Sequence, residues 1–187
     1  MMLNEWFEKG WTKETYIRKM NVHQENLLHI YNSFQLKEED RVFLQTLQKE
    51  NLRAIVLTAD WCGDAMVNLP ILMRLSEEAL IETRYLIRDE NLELMDQYLT
   101  NGTARSIPII IFINENGEET AKWGPRTESV QAWVDEQKQS LPDKESPEFN
   151  DAFGVFAKNV SKRFTADTDF WNDIKDDLIE TVKNRIQ

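Results

Sequence analysis

A chain of 187 residues suits one domain with extensions better than two full domains. Hydrophobic residues make up 41% and aromatics 10%, enough for a core, which excludes global disorder. The formal net charge of −11 argues against nucleic acid or an anionic membrane surface as a partner, and no apolar segment approaches the roughly 20 residues that span a bilayer.

The first residues, Met-Met-Leu-Asn-Glu-Trp-Phe-Glu, are acidic and amphipathic, without the basic start and apolar stretch of a secretory signal. Cys62 is the single cysteine, so the chain has no internal disulfide. Both features point to a reducing, cytoplasmic setting.

Residues 1–50 read as an N-terminal helical extension. Trp6, Phe7 and Trp11 are apolar anchors. Thr12 is placed to cap a helix carrying Tyr16, Ile17 and Met20. Leu27, Ile30, Tyr31 and Phe34 form the next stripe, and Lys37-Glu38-Glu39-Asp40 opens a further helix with Phe43, Leu44 and Leu47 inward. No strand is expected here.

Residues 51–140 read as the core domain. An apolar run predicts a buried strand over 52–58. A helix follows over 63–80 with Pro70 inside it, then a strand over 82–88. Asp89 is expected to cap a helix reaching Leu99, ended by Asn101-Gly102. Pro108 opens a strand to Ile113, and Asn114-Glu-Asn-Gly117 is a hairpin turn. A strand over 119–123 ends at Trp123-Gly124-Pro125, and a helix runs from Thr127 to Ser140. The order is β-α-β-α-β-β-α: a right-handed parallel unit, then a hairpin and a covering helix. The fold class is α/β, a four-stranded mixed sheet flanked by helices.

Residues 141–187 read as a C-terminal helical extension, entered by the polar Leu141–Pro147 segment. Phe149, Phe153, Phe156, Val160 and Phe164 recur at helical spacing, and a second helix from about Thr168 carries Trp171, Ile174, Leu178 and Val182. Such a stripe must be covered. It is expected to pack with the N-terminal helices on the core; the alternative is a partner groove or a homodimer face.

Cys62 falls where a strand hands over to a helix. Unpaired N–H groups and the positive dipole end favour a thiolate there, and such cysteines have pKa values lowered from about 8.5 to roughly 3.5–7.5. Asp60 and Asp64 flank the thiol and oppose that effect by like charge. His23 and His29 are too unevenly spaced to share a helix face, so no metal site is expected.

The run Trp61-Cys62-Gly63-Asp64-Ala65 resembles the Trp-Cys-Gly-Pro-Cys segment of the thioredoxin superfamily. Asp64 stands where Pro is usual, and Ala65 where the second, resolving cysteine is usual. Pro70, Ile107-Pro108 and Gly124 also fall at places expected of that family. The resemblance covers about residues 50–140 and implies a thioredoxin-like fold, with a cis Ile107–Pro108 peptide facing Cys62. Val56 stands where a buried Asp is common, and Thr58 where a Trp is usual. Monothiol glutaredoxins, which can hold an iron–sulfur cluster, carry Cys-Gly-Phe-Ser, so no cofactor is implied. The whole chain looks most like uncharacterised bacterial thioredoxin-like proteins with helical extensions.

Ala65 cannot release a substrate from a mixed disulfide, which excludes dithiol exchange within one chain. Monothiol chemistry remains, with a low-molecular-weight thiol or a protein thiol or disulfide as the partner, or a sulfenate resolved by an outside thiol. That reading expects Cys62 to alkylate faster at pH 7 than a free thiol and to form a mixed disulfide, and a Cys62 pKa above about 9 would count against it. A non-catalytic interaction module is the competing reading, and a second cysteine supplied by a partner protein is a third.

Overall fold

The computed structural model describes residues 2–185. Four short helices come first: α1 (Leu3–Lys9), α2 (Lys13–Lys19), α3 (Gln24–Ser33) and α4 (Glu38–Thr46). Thr12 caps α2, its hydroxyl accepting the Thr15 N–H at 3.3 Å. β1 (Arg53–Thr58), α5 (Gly63–Ala79) and β2 (Glu82–Ile87) follow, then α6 (Leu92–Met95), β3 (Ile109–Ile113), β4 (Glu119–Trp123) and α7 (Glu128–Lys138). α8 (Phe149–Ala166) and α9 (Thr168–Lys183) complete the chain.

The sheet order is β2-β1-β3-β4. β1 runs parallel to β2 and antiparallel to β3, and β3 antiparallel to β4. Ala54–Thr58 and all of β3 are buried, because both faces of these central strands are covered. Alternation sends Ala54, Val56 and Thr58 to one face, and Ile55 and Leu57 to the other. On the first face Tyr16 of α2 stacks on Tyr85 at 4.9 Å, and its hydroxyl lies 3.1 Å from Thr58 Oγ1. On the second, Phe7 of α1 lies against the guanidinium groups of Arg53 and Arg84.

The chain crosses between faces at the β2 edge. Trp11 exchanges backbone hydrogen bonds with Tyr85, at 2.9 and 2.8 Å, and so closes the edge strand. The sequence gives no sign of this pairing, since Trp11 stands alone between two helices.

One expected element is corrected. The helix from Asp89 to Leu99 is only a 3-10 turn (Arg88–Glu90) and the single turn of α6. Asp89 is not its cap, because the Arg88 side chain holds that carboxylate at 2.7 Å. Asn91 donates back to the Ile87 carbonyl instead, and Thr100 pairs with Ala104 to turn the chain toward β3.

α9 behaves as its stripe requires. Phe170, Trp171, Ile174, Leu178, Ile179 and Val182 are buried against the core. Lys175 on the same helix is buried and meets both oxygens of Asp40 on α4 at 3.0 Å. Trp123 is buried in the core, and its Nε1 donates to Asp177 at 2.7 Å. α8 behaves differently along its length. Phe164 is buried against Trp133 and Phe170, Phe156 and Val160 are half-buried, and Phe153 is 46% exposed. The stripe packs on the core from Phe156 to the C-terminal end of the helix, most tightly at Phe164. α7 stops at Lys138, and its last turn at Gln137 with the following Ser140 and Leu141 lines the middle of α8.

Candidate functional site

The site begins where β1 ends. After Thr58 the chain makes a tight turn, with the Cys62 N–H donating to the Ala59 carbonyl at 3.2 Å. Cys62 is then the N-cap of α5, in extended backbone. Its Sγ accepts the Ala65 N–H at 3.4 Å, one of the donors a helix start leaves free. Its S–H donates to the Ile107 carbonyl at 3.3 Å. Ile107–Pro108 is cis and stands against the sulfur, as the family resemblance implied. Trp61 lies beside the thiol, 49% exposed, with the Arg88 guanidinium 4.8 Å from its ring centre.

Gly124 closes the site from β4. Its φ is +119°, and a Cβ there would fall 2.2 Å from the Pro108 carbonyl oxygen. Asn68, buried on α5, donates to the Pro125 carbonyl at 3.0 Å and ties this loop to the helix that Cys62 starts. Gly63 is different: a Cβ there would meet nothing within 4 Å, so neighbours do not demand glycine at that position. Ala65 is buried behind the thiol, where the resolving cysteine would be.

The two flanking aspartates part company. Asp60 turns away and accepts the N–H groups of Asn21, at 2.8 Å, and Val22, at 3.3 Å. Asp64 stays at the site, gripped by Arg126 through two hydrogen bonds of 2.6 Å. Arg126 also donates to Gln131 Oε1. Sequence reasoning missed Arg126 and Asn68. The only signal for Arg126 was its place two residues after Gly124, in a loop already tied to the site.

Cys62 is 7% exposed, and that burial dominates its acidity. Burial pushes the thiol up to about 11, and the Asp64 charge adds to the rise. The N–H groups of Ala65 and Asp64, and the Arg126 charge, act the other way. The acid thiol expected from a helix start is therefore corrected: the helix end acts in the expected direction, and desolvation outweighs it. Asp64→Asn is expected to lower the thiol pKa and Arg126→Gln to raise it. The pH dependence of alkylation in each variant checks both signs.

The raised pKa also links to stability. In the unfolded chain the thiol ionises near 8.5, in the folded one near 11, so between these values the unfolded state binds fewer protons. Stability is then lost as pH rises from about 8.5. Between pH 7.5 and 9.5 the loss from Cys62 is about 1 kcal/mol. Tyr16 and Tyr85, whose phenols burial also raises, act in the same direction at higher pH. Urea unfolding at both pH values is expected to show a smaller drop for Cys62→Ser than for the unmodified chain.

Sheet order, crossover and the cysteine at the start of α5 define a thioredoxin-like α/β protein with one thiol where a dithiol pair is usual. A family model described as Thioredoxin matches residues 10–139, and the chain belongs to that family. No curated protein matches the chain. Among solved structures, it is similar to a protein of unknown function from Pseudomonas aeruginosa, with a TM-score of 0.68 and 15% identity over 98% of each chain. An HIV 4E10 epitope-scaffold gives a TM-score of 0.68 and 14% identity, again over 98% of each chain. At these identities the likeness is one of fold. No helix among the described residues is long and apolar enough to cross a membrane.

Proposed function

We propose that the protein uses Cys62 as a single redox thiol, which forms a mixed disulfide slowly and gives it up slowly. The observation that carries this reading is the place of Sγ at the start of α5, where it accepts the Ala65 N–H, while the raised pKa counts against the fast, acid-thiol form expected from the sequence. The Cys62 thiolate attacks one sulfur of an external disulfide. An S–S bond forms at Cys62, and the other half leaves as a thiolate. An external thiol then attacks the adduct and restores Cys62, because Ala65 cannot.

The acidity sets the pace. A rise from about 9 to about 11 makes thiolate roughly 100-fold scarcer at pH 7, while the greater nucleophilicity of a more basic thiolate recovers a little under tenfold. Attack is then on the order of tenfold slower than by a free thiol. The same basicity makes Cys62 a poor leaving group, so an adduct persists. This suits a site that captures a small or protein thiol better than one that turns over quickly. A reducing compartment such as the cytoplasm would supply the releasing thiol.

Burial of the S–H, and its bond to Ile107, favour a second reading: a non-catalytic binding module with Cys62 as a structural donor. Intact mass after exposure of the folded protein to oxidised glutathione separates the two. The redox reading expects one adduct, formed faster as pH rises and absent in Cys62→Ser. A folded protein that gains none, while its urea-unfolded form does, overturns it.

A further inference from the structure

Asparagine followed by glycine occurs twice in the chain, at Asn101-Gly102 and at Asn116-Gly117. Such a pair can rearrange with water as the only other reactant. The glycine backbone nitrogen attacks Cγ of the asparagine, a C–N bond forms, and the side-chain nitrogen leaves as ammonia. Water then opens the five-membered imide at either carbonyl and leaves aspartate or isoaspartate. Glycine matters because, without a Cβ, its peptide can rotate into the attacking position. The reaction therefore needs a peptide plane that is free to turn.

The fold treats the two pairs differently. The peptide joining Asn116 to Gly117 is held at both its oxygen and its nitrogen. The Asn116 carbonyl accepts Asn4 Nδ2 at 3.0 Å, and the Gly117 N–H donates to the Asn114 carbonyl at 3.0 Å. The Asn4 side chain also fills the space over Gly117, where a Cβ would fall 2.4 Å from its Cγ. The Asn116 N–H is held in turn by Asn114 Oδ1 at 2.9 Å. The peptide joining Asn101 to Gly102 has far less to hold it. Both residues are exposed, and a Cβ on Gly102 would meet nothing within 4 Å. The Gly102 N–H makes one long contact, 3.4 Å to the Leu99 carbonyl. Among the described residues no hydrogen bond reaches the Asn101 carbonyl. Asn101 has φ +52°, in the left-handed region that few residues with a Cβ adopt.

We propose that Asn101 is a spontaneous modification site, converted through the imide to aspartate and isoaspartate, and that Asn4 protects Asn116 from the same reaction. The position gives the reaction a consequence. Thr100 and Ala104 close the turn through backbone bonds of 2.8 and 3.0 Å. From there the chain runs through Arg105 to Ile107, whose carbonyl accepts the Cys62 S–H. Isoaspartate adds a methylene to the main chain inside that closed turn, and either product adds a negative charge to it.

The test is incubation of the folded protein at mildly alkaline pH, with acidic variants followed by ion exchange and isoaspartate located by peptide mapping. The expected result is isoaspartate at Asn101, formed at least about tenfold faster than at Asn116. In the urea-unfolded chain the two sites should react at similar rates. Asn4→Ala, with circular dichroism to confirm its fold, should bring the Asn116 rate up toward that of Asn101. Equal rates at the two sites in the folded chain overturn the proposal. So does a folded chain in which Asn101 stays intact while its unfolded form reacts. An Asn116 that remains slow in Asn4→Ala overturns the protection assigned to Asn4.

Discussion

Gly124→Ala is expected to be among the most damaging single substitutions in the chain, costing about 3–5 kcal/mol. Two effects add. The backbone at Gly124 has φ +119°, a region that residues with a Cβ rarely adopt. The new Cβ would also lie 2.2 Å from the Pro108 carbonyl oxygen, a backbone atom that cannot swing aside. To admit it, the β4 end must move away from the start of β3. That shift disturbs the wall against which the Cys62 thiol rests, since Ile107 accepts its S–H. Denaturant unfolding should show a large fall in midpoint with an unchanged slope. Gly63→Ala is the matched control: its Cβ meets open space, and its midpoint should move little.

Lys175→Ala is expected to cost about 3–5 kcal/mol for a different reason. Lys175 Nζ lies 3.0 Å from both oxygens of Asp40, and the two side chains are 3% and 9% exposed. Removing the lysine leaves a buried carboxylate facing a vacated space, with the Lys37 N–H as its remaining donor. Asp40→Ala should cost less, because Asp176 stays within 2.6 Å of the ammonium. Replacing the pair together, as Asp40→Leu with Lys175→Met, should bring stability back toward that of the unmodified chain. That pattern across three variants separates a burial penalty from loss of attraction. It also measures how firmly α9, far along the sequence, is tied to α4.

The strand, turn and helix around Cys62 were legible because their patterns are local. An apolar run, a Trp-Cys-Gly turn and an amphipathic stretch each declare themselves within a few residues. The cis peptide at Pro108 and the place of Gly124 were legible only through the family resemblance. The acidity of Cys62 was not. It depends on burial by Ile107 and on an ion pair between Asp64 and Arg126, groups that lie 62 positions apart. Sequence showed Asp60 and Asp64 as equals, and only the fold turns one of them away toward Asn21. The short α6 was misread because Asp89 is a good capping residue, yet its carboxylate is already taken by Arg88. The stripe of α8 was correct as a helix, but a stripe does not say what covers it.

The most direct test of the single-thiol reading is the reaction of the folded protein with oxidised glutathione across pH 7 to about 11, followed by intact mass. The expected result is one adduct at Cys62, slow at neutral pH, with a rate that climbs well past pH 8.5 and levels only near 11. After the oxidant is removed, added reduced glutathione should release the adduct more slowly from the folded protein than from its urea-unfolded form, as a poor leaving group requires. A folded protein that never gains the mass at any of these pH values, while its unfolded form does, would contradict the account.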